Sequence, residues 1–375
     1  MRYLIVTVLI FLSSTAHAKH SIYLEKNKGT YKTELMWPEV SIPWGMVQLP
    51  GGEMLATERS GTLFLLTENE PAIEIQGLPK IHVNNQGGLL DIALHPYYEK
   101  NHLILFSYAS PEGEGKGSHT ALMQAKLDIK NNRLTQQKVL YKGEGNTTKG
   151  SHYGSRIVVD DDYIYFSIGD RGARDLNPQD LSRDGGKIYR LNLDGSIPDD
   201  NPFVQSNSAK KAIFSYGHRN PQGLVKLGDT GVIWSHEHGP KGGDEVNLIE
   251  AGKNYGWPII SYGVNYSGSA FTDLTEKAGM EQPKLFWDPS IAPSGMAVIT
   301  SDKYPQWQGK ILLGSLKFNH LVLLEVKDSK VVKQTKVVTE TGGRYRNVIQ
   351  GSDGYIYLGV DGEGISRLLP MSVSN

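Results

Sequence analysis

A short turn followed by an apolar, strand-like run recurs six times along the chain. One apolar residue in each run marks the spacing: Met54, Ile104, Ile164, Ile233, Ile311 and Ile356. The gaps between these markers are 50, 60, 69, 78 and 45 residues, with a mean of about 60. A second strand-like run precedes each turn, so the repeating unit is an antiparallel hairpin.

Hairpins repeated at this interval predict an all-β fold, a six-bladed β-propeller built from four-stranded antiparallel blades. Radial repetition of small sheets leaves only short, protected strand edges. A pair of β-sandwiches or a β-helix is the alternative. The glycine content also indicates many tight turns. Glycine makes up 42 of the 375 residues, a larger share than the usual ~7%. No linker divides the repeats, so residues 19–375 are predicted to form a single propeller domain.

Residues 1–18 have the pattern of a secretory signal peptide. Arg2 gives a positive start, Leu4 to Leu12 is almost entirely apolar, and Ala16-His17-Ala18 is a small-residue cleavage site. A membrane anchor is the alternative, but the apolar run has only about half of the ~20 residues that a spanning helix needs. We therefore expect an exported protein without a membrane span, located in a bacterial periplasm, whose mature chain begins near Lys19.

Two features of the composition exclude whole classes of function. The chain has no cysteine, which excludes thiolate catalysis, disulfide frameworks, cysteine-ligated zinc and iron–sulfur clusters. Its net charge of −1 gives no support for binding driven by phosphate neutralisation. We therefore expect no nucleic-acid partner.

The hairpin repeat also predicts where polar residues converge, because the start of a hairpin's first strand lies beside the end of its second. The polar residues before first strands are Asn85, Gln86, His152, Arg219, Asn220 and Arg344–Arg346, and those after second strands are Glu58, Arg59, Asp170, Arg171, His236–Asp244 and Lys317. All of them are expected around one mouth of the central channel. A concave mouth of this kind is the usual place for a ligand.

Two groups at this mouth suggest chemistry. Arg219, Lys317, Arg344 and Arg346 form a cation cluster that suits a small ligand with several carboxylates or phosphates, although separate salt bridges are an alternative. His152 and Asp170 belong to adjacent ends of one hairpin. A carboxylate beside an imidazole is the usual arrangement of a general base, and a structural loop histidine is the alternative.

The segment His236–Glu245 is rich in metal-ligand types, and two interpretations compete. Histidines at alternate strand positions suit a transition metal. Carbonyls exposed by the Gly-Pro and Gly-Gly turns, together with Asp244 or Glu245, suit calcium. No third histidine has metal-ligand spacing, which disfavours zinc. The chain also lacks a Gly-x-Ser-x-Gly elbow and a P-loop, which disfavours serine and nucleotide hydrolases.

Several motifs, taken in order, resemble a known family. They are residues 85–91 with Leu94-His95-Pro96, His152 with Arg156, residues 167–172, 184–190 and 216–223, Glu237-His238-Gly239-Pro240, residues 244–247 and 254–258, Gly314-Ser315-Leu316-Lys317 and Arg344-Tyr345-Arg346. Together they resemble the soluble aldose sugar (glucose/sorbosone) dehydrogenases that depend on pyrroloquinoline quinone (PQQ). The match runs from about residue 40 to residue 367, and the family's fold is a six-bladed propeller.

The resemblance implies a cofactor and a metal. By position, the residues that match PQQ-holding residues are Gln86, Arg219, Asn220, Tyr266, Lys317, Arg344, Tyr345 and Arg346. The carbonyls of Gly239 and Pro240 match ligands of a calcium ion on PQQ, and Glu245 with the carbonyl of Tyr255 matches a second calcium site. PQQ carries three carboxylates, which would account for the cation cluster.

The resemblance also implies a reaction. His152, oriented by Asp170, takes the proton of an aldose's anomeric hydroxyl while the C1 hydride passes to PQQ, giving an aldonolactone. The partners are then an aldose and an external electron acceptor, and the protein is expected to be a monomer or weak homodimer. Two alternatives remain: a propeller that binds sugars or other ligands without catalysis, and a calcium-dependent lactonase. His236, His238 and the lack of an acidic residue directly before His152 depart from the family pattern.

Overall fold

The computed structural model describes residues 24–228 and 231–370. The predicted signal peptide, residues 1–18, lies outside the described residues, as do Asp229 and Thr230 of one predicted turn.

The described chain forms six sheets built almost entirely from antiparallel pairs, which are the six predicted blades. The first three blades are β3 (Pro43–Gln48), β4 (Met54–Glu58), β5 (Thr62–Leu66) and β6 (Ile73–Glu74); β7 (Leu89–Leu94), β8 (Leu103–Ser110), β9 (His119–Asp128) and β10 (Arg133–Lys142); and β11 (Ile157–Val159), β12 (Tyr163–Ile168), β13 (Lys187–Asn192) and β14 (Ile213–Tyr216). Each blade is a meander in which sequence neighbours are also sheet neighbours.

The remaining blades follow the same order, with additions from the start of the chain. They are β15 (Pro221–Leu227), β16 (Val232–Glu237), β17 (Asp244–Ile249) and β18 (Leu285–Trp287); β19 (Pro293–Val298), β20 (Ile311–Ser315), β21 (Leu321–Lys327) and β22 (Lys330–Thr339); and β23 (Tyr345–Gln350), β24 (Ile356–Val360) and β25 (Gly364–Leu368). All six marker residues lie on the second strand of a blade, which confirms the propeller prediction.

The two N-terminal strands join the last two blades. β2 (Thr33–Trp37) pairs antiparallel with β25 and supplies the fourth strand of the sixth blade. β1 (Leu24–Tyr31) pairs in parallel with β22, so the fifth blade has five strands instead of the predicted four. Pairing of the first strands with the last ones closes the ring.

The core lies between successive blades, where apolar faces of neighbouring sheets meet. Leu105 and Leu122 of the second blade pack in one buried cluster with Ile164, Phe166 and Tyr189 of the third. Strand alternation explains this, because every second side chain of a strand points to the same face. Burial of this kind contributes roughly 25 cal/mol for each Å² of apolar surface.

Arg156 fills the centre of the ring, directly before β11. Its guanidinium lies 4.1 Å from the ring centre of Trp44 and 3.2 Å from an Asp91 carboxylate oxygen. It also donates to the carbonyls of Trp44, Gln222 and Arg346, at 3.1, 2.8 and 2.9 Å. These partners belong to the first, second, fourth and sixth blades, so one buried side chain ties five blades together.

Helices contribute little. The described ones are α1 (Tyr98–Asn101) and two 3₁₀ turns of three residues each. In residues 24–228 and 231–370, no helix has the length and apolar character that a membrane crossing requires.

Candidate functional site

His152 and Asp170 are in direct contact, with 2.6 Å between His152 Nδ1 and Asp170 Oδ1. His152 precedes β11 and Asp170 follows β12, so the hairpin geometry brings them together as expected. Gly169 allows the close approach, because a Cβ at that position would lie 2.4 Å from the carbonyl oxygen of His152. The hairpin therefore brings the two residues close together, and the absence of a side chain at position 169 leaves room for the His152 backbone.

The backbone around His152 is held from several sides. His152 has a φ of 55°, in the left-handed region that few residues other than glycine adopt. Its N–H donates to Gln86 Oε1 at 2.8 Å. Arg171 Nη2 donates to the carbonyl of Lys149 at 2.9 Å, and the Arg171 guanidinium lies 3.5 Å from the ring centre of Tyr153. A strained conformation held this firmly is typical of functional sites.

The protonation state of the pair follows from the surroundings of Asp170. Burial alone would raise the pKa of Asp170, but the hydrogen bond and charge of His152, with Arg219 and the Gly172 N–H, lower that pKa below its ordinary value. The carboxylate is therefore ionised and can only accept hydrogen bonds. Nδ1 of His152 must carry the proton, which leaves the lone pair on Nε2 free to act as a base.

An outer cavity of about 340 Å³ lies in front of this pair. Its lining residues are His152, Asp170, Gly172, Ala173, Arg174, Asp175, Leu176, Arg219, Pro240, Trp257, Asn265 and Tyr266. The His152 side chain is 18% exposed, whereas that of Asp170 is 1% exposed. Only the histidine of the pair is therefore accessible to a molecule in the cavity.

A second, inner cavity of about 520 Å³ contains most of the cation cluster. Its lining residues are Trp44, Arg59, Asn85, Gln86, Tyr153, Asn220, Gln222, His238, Ala292, Leu316, Lys317, Arg344 and Arg346. Residues more than 250 positions apart, such as Arg59 and Arg346, meet here because Arg59 directly follows β4 and Arg346 lies at the start of β23, at the same face of the ring.

Positive charge in the inner cavity exceeds negative charge. Arg346 Nη2 is 2.6 Å from Asp361 Oδ2, and Arg344 Nε is 3.7 Å from the same oxygen. One carboxylate thus serves two guanidinium groups. Burial and the nearby charge of Arg346 lower the pKa of Arg59, although Asp361 opposes this. Among the described residues Lys317 forms no salt bridge with a carboxylate. The cavity is therefore suited to an anion with more than one charge.

Arg219 has one guanidinium donor without a hydrogen-bond partner in the described structure. Its Nη1 donates to the carbonyl of His238 at 3.0 Å, but its buried Nε has no hydrogen-bond partner. Buried donors are rarely left unpaired. Arg219 lines both the outer cavity and a smaller cavity that also contains Glu237 and Glu245, so its guanidinium borders the space that a ligand would occupy.

Two more of the predicted cofactor residues, Gln86 and Asn220, line the inner cavity. Both also support the His152 loop, because Gln86 Oε1 accepts the His152 N–H and Asn220 Oδ1 accepts the Gly154 N–H at 3.1 Å. Tyr266, by contrast, belongs to the outer cavity and is 74% exposed. It lies on the side of His152 and Arg219, and not among the inner-cavity cations Lys317, Arg344 and Arg346.

Tyr345 is the predicted residue that the structure does not bring to a cavity wall. It is 1% exposed, packs with Ile356 and Leu358, and its hydroxyl hydrogen-bonds to Thr339. Successive side chains of a strand point to opposite faces. Since Arg344 and Arg346 line the cavity, Tyr345 between them points into the core behind it.

The four predicted metal-ligand residues, Gly239, Pro240, Glu245 and Tyr255, line one small cavity of about 10 Å³ together with Glu237. Burial, followed by the charge of Glu237, raises the pKa of Glu245 to about 8. The nearby Asn247 Oδ1 is buried without a hydrogen-bond partner. Two confined carboxylates and an unused amide oxygen make a cation favourable here.

Asp244, the other candidate carboxylate, is already engaged. Its oxygens accept hydrogen bonds from the Gly239 N–H at 2.8 Å, the Ser290 hydroxyl at 3.0 Å and the Ala292 N–H at 2.7 Å. No group of three or more His, Asp or Glu side chains able to hold a metal occurs within the described ranges. An ion at the small cavity would thus depend on backbone carbonyls as well.

His236 and His238, the two histidines that depart from the family pattern, each hydrogen-bond to a backbone carbonyl through Nε2. His236 Nε2 is 3.1 Å from the carbonyl oxygen of Gly295, and His238 Nε2 is 2.8 Å from that of Pro293. Burial lowers the pKa of His236 to about 3 and that of His238 to about 4. Both are therefore neutral donors to the neighbouring blade, which argues against the transition-metal interpretation.

Trp257 is a residue of the site to which the sequence assigned no role. It lines both the outer cavity and the small carbonyl-lined cavity, and its indole N–H points at Asp170. Its only sequence signal is its place in the motif 254–258. Trp44 and Arg174, which line the inner and outer cavities, had no such signal.

Comparison with known proteins gives a consistent result. The family model described as Glucose / Sorbosone dehydrogenase matches residues 40–369. The aldose sugar dehydrogenase YliI of Escherichia coli K12 is 37% identical over 351 residues, which is 92% of this chain and 94% of the relative.

Solved structures agree with the sequence comparison. The apo form of the soluble aldose sugar dehydrogenase of E. coli superposes with a TM-score of 0.87 at 35% identity, covering 91% of this chain and all of the other. The PQQ-bound aldose sugar dehydrogenase of Streptomyces coelicolor has a TM-score of 0.71 at 25% identity, covering 92% and 96%.

Proposed function

The chain belongs to the glucose/sorbosone dehydrogenase family of sugar oxidoreductases, and from this premise we propose a specific activity. We propose a PQQ- and calcium-dependent dehydrogenase that oxidises the C1 hydroxyl of aldoses to aldonolactones and passes the electrons to an external acceptor. The observation that carries the proposal is a polycationic cavity directly beside a histidine–carboxylate pair.

The inner cavity suits PQQ because the cofactor carries three carboxylates. Arg59, Lys317, Arg344 and Arg346 surround the space, and Asp361 balances only part of their charge. Arginine binds carboxylates through two parallel hydrogen bonds, which gives orientation as well as affinity. Asn220 and Gln86 add neutral polar groups to the wall. When bound, PQQ would supply the acceptor for the hydride of C1.

His152 is the proposed general base. Its Nε2 lone pair is available because Nδ1 donates to the ionised Asp170. An aldose in the outer cavity would place its anomeric hydroxyl at Nε2, and His152 would take the proton as the C1 hydride leaves. Asp170 stabilises the imidazolium that results. Arg219, whose buried Nε lacks a partner, would stabilise negative charge in the outer cavity, whose wall it lines.

Calcium is the proposed ion at the small cavity. Calcium prefers oxygen ligands and tolerates irregular geometry. The carbonyls of Gly239 and Pro240 would hold an ion next to the cofactor, and Glu245 with the carbonyl of Tyr255 would hold a second one. The raised pKa of Glu245 shows that its ionised form is unfavourable in this buried place, and a bound cation would offset that penalty.

The alternatives fit less well. A calcium-dependent lactonase needs several free carboxylates at the channel centre, but the Asp91 carboxylate there is paired with Arg156. A propeller that only binds ligands has no need for an oriented His152–Asp170 pair. The lactonase also leaves the cation cluster without a role.

Reconstitution tests the proposal directly. The protein is mixed with PQQ and calcium, and a panel of aldoses is added with an artificial electron acceptor. We expect a quinone absorbance that an aldose bleaches, followed by dye reduction. Polyols without an anomeric hydroxyl serve as the control. Dye reduction by the aldose panel that does not depend on added PQQ would refute the cofactor assignment.

Arg344→Ala is expected to weaken PQQ binding by about 10- to 100-fold, because one charge-assisted hydrogen bond contributes about 1.5–3 kcal/mol. Arg344 suits the test since its side chain is 54% exposed and its loss leaves the core intact. Fluorescence titration with PQQ measures the affinity. Arg133→Ala, an exposed arginine on β10, is the matched control. Equal affinities of the two variants would contradict the carboxylate clamp.

Calcium is expected to raise the melting temperature of the protein without PQQ, and Glu245→Gln should remove most of the increase. The ion competes with a proton for Glu245, whose pKa is raised to about 8. The stabilisation by calcium should therefore be largest above about pH 8 and should decline as the pH falls below it. Thermal melts with and without calcium between pH 6 and pH 9 measure both trends. A gain that is identical in the Gln variant would exclude Glu245 as a ligand.

We also propose that residues 1–18 act as a signal peptide and that residues 19–375 are exported to the periplasm as one propeller domain. The support is the leader pattern, with its short apolar run and Ala-x-Ala site. N-terminal sequencing of the protein from a periplasmic extract tests it, with Lys19 as the expected first residue.

A further inference from the structure

We propose that Trp257 is a positioning residue for the base, whose indole N–H fixes the carboxylate of Asp170 and through it the orientation of His152. The inference rests on the proposed function, because it gives His152 the role of the base. It extends that function to a residue on a different blade from the histidine.

The two oxygens of Asp170 have different partners. Oδ1 accepts from His152 Nδ1 at 2.6 Å and from the Gly172 N–H at 2.7 Å. Oδ2 accepts from Trp257 Nε1 at 2.9 Å. Asp170 is 1% exposed, so bulk water does not replace a lost donor. Without the indole, a buried carboxylate oxygen would be left unpaired, which costs about 1–3 kcal/mol or more for a charged group.

Trp257 is itself fixed in place. Its N–H donates to the carbonyl of Gly217 at 2.9 Å, and its carbonyl accepts from Gln179 Nε2 at 2.8 Å. Its ring meets Phe271 edge-on with centroids 5.3 Å apart, and the Arg219 guanidinium lies 5.3 Å from its ring centre. The indole is therefore a rigid donor and not a side chain that follows the movements of Asp170.

The consequence for His152 is geometric. A carboxylate held at Oδ2 cannot rotate about its Cβ–Cγ bond, so Oδ1 stays directed at His152 Nδ1. This keeps the proton on Nδ1 and the lone pair on Nε2. Once Trp257 no longer donates, only the two hydrogen bonds to Oδ1 hold the carboxylate, and Asp170 can tilt toward another donor such as Arg219, so the Nδ1–H form of the imidazole loses part of its advantage.

Two substitutions remove the indole N–H, and they differ in how much they disturb the rest of the ring. Trp257→Phe removes the donor and part of the ring. Replacement of Trp257 by 3-benzothienylalanine removes only the donor, since sulfur takes the place of the N–H in a ring of the same shape. Phe271→Leu is the matched control, because it disturbs the packing of Trp257 but leaves the hydrogen bond.

The first measurement is the tautomer of His152 in the protein without added PQQ, from the ¹⁵N shifts of its ring nitrogens, assigned with His152→Gln. We expect the Nδ1–H form to predominate in the parent and in Phe271→Leu, and to lose population in both Trp257 variants. The second is steady-state kinetics with PQQ and calcium, in which kcat should fall about 10-fold while KM for the aldose changes less than twofold.

The outcomes separate the two proposals. If the benzothienylalanine variant keeps the parent tautomer and kcat, Trp257 does not position the base, whether or not the phenylalanine variant folds. A rise in KM with unchanged kcat would likewise overturn the inference, since it would show a contact to the sugar instead. Absence of aldose oxidation in the parent would refute the proposed function, but the tautomer measurement would still decide the role of Trp257.

Discussion

Replacing His152 with alanine is expected to lower kcat for aldose oxidation by about 10²- to 10⁴-fold, the usual contribution of a positioned general base. PQQ affinity should remain close to that of the parent, because His152 lines the outer cavity while Lys317, Arg344 and Arg346 line the inner one. Pre-steady-state reduction of PQQ by an aldose, followed by its absorbance, isolates the proton-coupled step from the transfer of electrons to the dye.

A matched histidine variant controls for general effects of the change. His102→Ala removes an exposed histidine at the turn before β8, at the end of the second blade that lies away from the mouth. It should retain the parent rate. A His152→Ala protein that oxidises aldoses as fast as His102→Ala would show that another group accepts the proton.

Arg156→Met is expected to destabilise the fold by about 3–5 kcal/mol, because it leaves the Asp91 carboxylate buried without its ion-pair partner. It also leaves the carbonyls of Trp44, Gln222 and Arg346 without their common donor. Burial raises the pKa of Asp91 even though Arg156 opposes this, so the lone carboxyl is expected to take up a proton in the variant. Urea unfolding followed by tryptophan fluorescence measures the loss.

The double variant Arg156→Met/Asp91→Asn separates charge from packing. If the uncompensated charge dominates, the double variant should be more stable than Arg156→Met alone, because the buried acid is gone. Arg367→Met, which removes a guanidinium paired with Glu34 at the exposed edge of the sixth blade, should cost far less. Equal losses for Arg156→Met and Arg367→Met would contradict the central role of Arg156.

The fold was largely predictable because its signals are local. Turn residues and apolar runs identify hairpins without knowledge of their partners, and all six markers lie on second strands. The parallel pairing of β1 with β22 was not predictable, because it joins segments about three hundred residues apart. No composition or spacing in either segment indicates the other.

The candidate site was predictable only to the level of segments. The hairpin rule placed His152 beside Asp170, and it brought Arg344 and Arg346 to one cavity. It failed for Tyr345, because a single step along a strand reverses the face of the sheet. Trp257 was missed for a different reason. It reaches Asp170 from a segment 87 residues away, through packing that no local pattern records.

The closure of the ring has a consequence for how this chain is made. β2 ends at Trp37, whereas its partner β25 begins at Gly364. A ribosome or a translocation pore delivers the chain from its N-terminus. It therefore releases β2 among the first strands and its partner β25 last. Until residue 368 has emerged, β2 lacks its partner and remains an open strand edge, a template for strands of other molecules. A product truncated before residue 364 would keep that edge permanently, so incomplete chains of this protein should aggregate more readily than the full-length chain.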